Sequence, residues 1–275
     1  MEAIVLMMEH IKYFKSHESI QTNDGKEVQV WDFNVPTDLE IPAEWAKHFR
    51  NHYCLDEQID ILRDGTGLSR KDYLMKLKFP SASDAPGPSI RVGDFGEILV
   101  ADFLQYISEY WVPRIRYLDK DIRNESSKGS DVIGFKFFDQ SLKTLSPQDV
   151  LTIFEVKAQF SGKKANPRLQ DAVNDSNKDH LRIAESLNAI KQRYLHQSKN
   201  LEATRIARFQ NIVDNPYEIR FGAAALYEES LYDKKIVSET DTNRHSYRAK
   251  LTLLIIRGVG MMDLVHKLYE SAADV

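Results

Sequence analysis

The sequence predicts an α/β core of mixed α+β type, built on one central sheet flanked by helices. Three observations carry that prediction: a helical apolar period from Asp94 to Tyr110, four short runs of strand character after it, and a closing helix from Met261 to Ala272. Their order (helix, strand, strand, helix, strand, strand, helix) indicates helices packed around a single sheet. A chain of 275 residues with 42% hydrophobic and 28% charged residues can bury a real core.

The elements follow in chain order. Val28 to Val35 alternates apolar and polar residues, which is strand patterning. Pro42 opens a helix that runs towards Tyr53, proline being suited to a first helical turn. Pro80-Ser-Ala-Ser-Asp-Ala-Pro-Gly-Pro88 holds three prolines and a glycine in nine positions. Such a stretch breaks regular structure, so it reads as a linker between an N-terminal accessory region, 1–85, and a C-terminal core, 86–275. In the core, Phe95, Ile98, Leu99, Phe103, Tyr106 and Tyr110 recur at helical spacing. Asp131–Phe138 and Leu151–Phe160 are expected strands, Asn177–Ser198 a polar helix, and Phe221–Glu228 and Lys250–Arg257 two further strands.

Charge and cysteine content exclude several classes. A single cysteine, Cys54, rules out a disulfide framework and a multi-cysteine zinc site, and suits a reducing cytoplasmic setting. The apolar runs Ile4–Met8 and Leu251–Ile256 are far too short to span a membrane, and the N-terminus lacks the basic start of a secretory signal. The formal net charge of −4 argues at first against nucleic acid. Its distribution argues otherwise: residues 1–85 carry −5, 86–156 carry −3, 157–213 carry +6 and 214–275 carry −2. A basic segment inside an acidic protein can concentrate phosphate, although a solvated helix face gives the same count. No phosphate-binding glycine loop of the ATPase type and no nucleophile-elbow serine are present, and Gly65-Thr-Gly67 and Arg257-Gly-Val-Gly260 are too short for a dinucleotide fingerprint.

The chemistry concentrates in Thr152-Ile-Phe-Glu-Val-Lys-Ala-Gln-Phe160. Strand side chains alternate, so Phe154, Val156, Ala158 and Phe160 face a core while Glu155, Lys157 and Gln159 share the opposite surface. Glu155 and Lys157 then stand roughly 6–7 Å apart along the strand. A carboxylate there can hold a divalent cation, and an ammonium can position or deprotonate water and stabilise a phosphate oxyanion. Upstream, Asp131 follows a glycine-bearing turn, Lys128-Gly-Ser-Asp131, at the mouth of a strand, and Gly93-Asp-Phe-Gly-Glu97 places Glu97 near a helix start. Each has a plainer reading: a surface ion pair for Glu155 and Lys157, a turn aspartate for Asp131, a capping box for Asp94 and Glu97.

The order helix acid, strand aspartate, then Glu-x-Lys on the next strand resembles the PD-(D/E)xK nuclease superfamily, over residues 86–275. Gly93-Asp-Phe-Gly-Glu97, Gly129-Ser-Asp-Val-Ile133 and Phe154-Glu-Val-Lys157 are similar to the nuclease subunit of Hachiman antiphage defence systems, the HamA family. Ser130 stands where many superfamily members have proline. The resemblance implies a restriction-endonuclease-like core with a mixed sheet. It implies a Mg²⁺-dependent DNA nuclease (Mn²⁺ being the alternative ion) that works with a superfamily 2 helicase from the same operon. It also implies metal ligation by Asp131, Glu155 and the Val156 carbonyl, with Glu97 completing the site and Lys157 as the catalytic lysine.

Beyond Phe160, Lys163, Lys164, Arg168, Lys178, Arg182, Lys191 and Arg193 form the expected DNA backbone surface, with Lys178 and Arg182 four apart on one helical face. His180 and His196 lack partners at ligand spacing and read as surface residues. A competing reading keeps the fold without the chemistry: a non-catalytic subunit that binds nucleic acid or the helicase. Intact Asp131, Glu155 and Lys157 favour the enzyme.

Overall fold

The computed structural model describes residues 8–36, 38, 40–139, 141 and 144–275; of the apolar run Ile4–Met8, only Met8 lies among them. In chain order the strands are β1 (Phe14–Ser16), β2 (Ile20–Gln21), β3 (Glu27–Phe33), β4 (Val132–Lys136), β5 (Val150–Gln159), β6 (Glu218–Glu228) and β7 (Leu251–Gly258). The helices are α1 (Ala43–Arg50), α2 (Ile59–Arg63), α3 (Arg70–Tyr73), α4 (Gly87–Asp102), α5 (Arg168–Ser176), α6 (Ile183–His196), α7 (Asn200–Ala207), α8 (Lys234–Ser238) and α9 (Met261–Asp274). The strands form one mixed sheet in the order β1-β3-β7-β6-β5-β4, with β2 also paired to β3.

The centre of the sheet is parallel. β3 runs parallel to β7, β7 to β6 and β6 to β5, while β4 closes the far edge antiparallel to β5. Strands buried on both faces read as continuous apolar runs, as in Phe221-Gly-Ala-Ala-Ala-Leu-Tyr227. At Gly222 the ring of Phe154 on β5 lies where a Cβ would stand, 2.4 Å away, so a larger residue there would force the two strands apart.

The alternation expected along β5 is observed. Phe154, Val156 and Phe160 enter one apolar core with α4, α9 and α1, whereas Leu151 and Ile153 enter the other with α5, α6 and α7. The helices therefore form a layer on each side of the sheet.

The N-terminal third shares this architecture. β3 pairs with β7 through Val28–Asp32, and Trp45 and Phe49 of α1 share a core with Tyr269 of α9. The stretch read as a linker turns the chain into α4, with Pro86 just before its first residue and Pro88 inside its first turn, where no intrahelical donor is required. For that reason the helix begins at Gly87 rather than at Asp94, and continues through a wider turn at Phe103–Ile107.

The single polar helix expected over 177–198 is instead a break followed by a shorter helix. α5 ends at Ser176, a tight turn covers Asp179–Leu181, and α6 starts only at Ile183. Asp179 folds inward and accepts a hydrogen bond from Ser130 Oγ at 3.1 Å, pinning the break. Lys178 and Arg182 both precede α6 and do not share a helical face.

Candidate active site

The site forms where β4 begins. The β4–β5 ladder stops at Val132 opposite Phe154, so Glu155 to Gln159 pair only with β6. On the open side the Asp131 carboxylate takes the place of a strand: its Oδ2 accepts the Val156 backbone N–H at 3.0 Å. Gly129, with φ +95, makes the turn that delivers Ser130 and Asp131 to this position.

Glu155 and Lys157 lie on the α5–α6 side of β5, as their parity requires. Lys157 Nζ reaches Glu155 Oε1 at 2.7 Å and Asp175 Oδ2 of α5 at 2.9 Å. Burial disfavours the ammonium, but hydrogen bonds to Glu155 and Asp175 outweigh it and hold the Lys157 pKa above its ordinary value. Lys157 is therefore a charged donor at neutral pH rather than a free base. Burial pushes Glu155 up to about 7, with the Asp131 charge adding to the rise and the bond from Lys157 opposing it. Its second oxygen, Oε2, is buried with no hydrogen-bond partner among the described residues.

Glu97 approaches from α4 on the opposite face of the sheet. It sits in the fourth turn of a helix that begins at Gly87, so the capping-box reading of Asp94 and Glu97 does not hold. Asp94 is buried in mid-helix, bonded by the Tyr53 hydroxyl at 2.8 Å and by Lys120 at 3.0 Å. Glu97 accepts from the Tyr117 hydroxyl and forms an ion pair with Arg116 Nε at 2.7 Å. Burial raises its pKa well above the usual carboxylate range against the pull of Arg116.

Sequence reasoning missed Arg116, which joins the two faces. Its Nη2 bonds Asp131 Oδ1 at 3.0 Å and the Ser127 carbonyl at 3.1 Å, while Nη1 bonds the Ser130 carbonyl. Glu97, Arg116 and Asp131 line a cleft of about 240 Å³ with Lys128, Ser186 and Arg193. The alternation in Pro113-Arg-Ile-Arg-Tyr117 was the available signal, but nothing local assigned its arginines to these acids.

The remaining expected residues divide. Gln159 is buried and serves the loop after β5, donating to the Lys164 carbonyl at 2.9 Å and accepting the Asn166 N–H at 2.9 Å. That loop carries Lys163 and Lys164, both exposed. Arg168 pairs with Asp171 at 3.1 Å and Lys178 with Asp175 at 2.7 Å, which ties Lys178 to the Lys157 network. Lys191 donates to Gln210, and Arg193 turns towards Asp119 at 3.5 Å. His180 meets the Asn177 carbonyl and the ring of Tyr247.

An all-oxygen donor set with one bare buried carboxylate oxygen fits a hard divalent cation. Asp131 has neither oxygen bare, since Arg116 and the Val156 N–H hold them. Glu97, Asp131 and Glu155 do not draw together as a trio within 4.8 Å; the trio that does, among the described residues, is His10, His48 and Asp102. That group is a closed network: each histidine Nε2 lies 2.9 Å from Asp102, and Arg114 occupies the same carboxylate at 2.9 Å.

A family model described as HamA matches residues 8–272 of the chain. No curated protein and no solved structure matches it. No helix among the described residues is long and apolar enough to cross a membrane.

Proposed function

The chain belongs to the HamA family, a subunit of Hachiman antiphage defence systems, and from that premise we propose that it is a metal-dependent DNA nuclease of the PD-(D/E)xK type. One observation carries the proposal: Asp131 grips the Val156 N–H beside the Glu155–Lys157 pair, so the three motif positions meet at one open strand edge. A divalent cation bound there would supply a polarised water and offset charge developing on the scissile phosphate.

The chain's own residues have separable tasks in this reading. Glu155, with Asp131 and the Val156 carbonyl, would hold Mg²⁺ or Mn²⁺. Lys157 stays protonated and presents its ammonium to water or to a phosphate oxygen, a form of electrostatic stabilisation that is strongest in a partly dry site. The exposed Lys163 and Lys164 extend the site along a DNA backbone without reading bases. A superfamily 2 helicase from the same operon would be the partner that delivers substrate and restrains cleavage, with the acidic residues 1–85 as its contact region.

The alternative, a non-catalytic subunit, has one observation in its favour: Arg116 and Lys157 already neutralise the acids in closed ion pairs. Incubating supercoiled plasmid with the protein, alone and with its helicase, in Mg²⁺ and in EDTA separates the two. Mg²⁺-dependent nicking is the expected result, and intact plasmid under every condition would leave only the non-catalytic reading.

A further inference from the structure

Leu181 ends the tight turn between α5 and α6 and is 74% exposed. An exposed leucine is ordinary by itself. Its setting here is not. The turn is fixed from two sides. Asp179 accepts from Ser130 Oγ at 3.1 Å, while Asn177 accepts the Ser246 N–H at 2.8 Å and donates to the Arg244 carbonyl at 3.4 Å. Within the turn, the Leu181 N–H bonds the Lys178 carbonyl at 3.1 Å and the Arg182 N–H bonds the Asp179 carbonyl at 2.8 Å. The backbone therefore holds Leu181 out in water instead of letting it fold back onto the surface.

The turn also adjoins the chemistry. Asp175, near the end of α5, bonds Lys157 at 2.9 Å through one oxygen and Lys178 at 2.7 Å through the other. One carboxylate thus stands between the motif lysine and the turn. Arg182 follows Leu181 directly, and Arg244 is tied to the same turn through Asn177. Neither arginine forms an ion pair with any described residue. Tyr247, 40% exposed, completes the surface, its ring 5.6 Å from His180 and stacked on the buried Phe221. Free guanidinium groups suit phosphate oxygens, whereas the core of a protein–protein contact is depleted of charge. An apolar tip with a cationic rim therefore fits DNA better than a second protein.

We propose that Leu181 is a wedge that enters the base stack of bound DNA, with Arg182 and Arg244 on the phosphates beside it. An aliphatic side chain driven between base steps partly unstacks and kinks a duplex, and the cost is least where bases are already unpaired. Next to Lys157, such a wedge selects junctions between paired and unpaired DNA over uniform duplex. This deepens the nuclease reading by naming the form of DNA the site takes, and it rests on that reading for DNA being the occupant.

The test is the fluorescence of 2-aminopurine, which brightens on unstacking, placed in turn at each step of a duplex and of a forked duplex. Each DNA is titrated with the full chain in EDTA, so that no cleavage is read. Wild type is expected to brighten one position, and more in the fork than in the duplex. Leu181→Ala is expected to bind within about threefold of wild type, because phosphate contacts supply most of the affinity, and to leave every position dark. Its melting curve should match wild type, the residue being exposed. Arg182→Ala combined with Arg244→Ala should lower the slope of log affinity against log salt by about 2. Equal brightening by wild type and Leu181→Ala, binding without brightening at any position, no DNA binding by wild type, or an unchanged salt slope would each overturn the assignment. So would loss of pairing with the proposed helicase partner in Leu181→Ala while brightening persists, which would make the leucine a protein contact. Brightening that requires Leu181, without any plasmid nicking in Mg²⁺, would support the wedge and count against the nuclease reading alone.

Discussion

Arg116 is bonded to Asp131, Nη2 to Oδ1 at 3.0 Å, while its Nε lies 2.7 Å from Glu97 on the opposite face of the sheet. One guanidinium thus pairs with two of the three acids, Glu97, Asp131 and Glu155, that the sequence offered as metal ligands. Burial disfavours the charge of Arg116, but Glu97 and Asp131 outweigh that and raise its pKa. Arg116 thus latches the helix acid and the strand aspartate together.

Removing the latch should destabilise the fold. Arg116→Ala leaves Glu97 and Asp131 without their partner in a largely buried setting, a loss of about 3 kcal/mol. Urea denaturation reads it directly. Added Mn²⁺ should recover more stability in the variant than in wild type, because the freed carboxylates can take a cation. A loss under about 1 kcal/mol would show that the pair contributes no more than a surface bridge.

Glu155 makes stability depend on pH with a defined sign. Its folded pKa is pushed up to about 7 from an ordinary 4.5, mainly by burial. Between those values the unfolded chain has given up this proton and the folded chain has not, so stability falls as pH rises through the window. Below 4.5 both states hold the proton and the penalty is absent. Asp179, pushed up to about 6 chiefly by burial, acts in the same direction. Glu155→Gln should gain on wild type by up to about 3 kcal/mol across that window. Parallel stability curves for the two proteins would refute the assignment. Mn²⁺ binding should also weaken below about pH 7, since the cation must displace the proton.

Substituting Lys163 and Lys164 together with alanine should weaken DNA binding without changing sequence preference. If each contacts one phosphate, the slope of log affinity against log salt falls by about 2. An unchanged slope would place the DNA elsewhere.

Residues 86–275 should not fold alone. β3 pairs with β7 inside the sheet and α1 packs against α9, so a chain starting at 86 exposes the parallel edge of β7 and, without Trp45 and Phe49, the aromatic face of α9 around Tyr269. Loss of near-ultraviolet dichroism in that fragment is the expected result; a cooperative melt would contradict it.

What the sequence made legible was local. The parity of Phe154 to Phe160 and the turn before Asp131 follow from strand period and glycine geometry, and both predicted where Asp131, Glu155 and Lys157 meet. Long-range pairing was not legible. Nothing in Val28–Asp32 says that its neighbour is Leu253–Arg257, so the N-terminal third read as separate. Asp179 was hidden because a polar helix pattern ran through it, while its inward turn depends on Ser130, far away in sequence. Arg116 was hidden for the same reason, its partners lying on α4 and before β4. The prolines at 86 and 88 misled because the motif that breaks a helix interior also starts one.

The central claim is that Lys157 and Glu155 carry phosphodiester hydrolysis. The most direct measurement is the rate of plasmid nicking in Mg²⁺ by wild type, Lys157→Ala and Glu155→Gln, each assembled with the proposed helicase partner and matched for DNA binding. Either substitution is expected to lower the rate by about 10²-fold or more while binding persists. Equal nicking by all three proteins would contradict it.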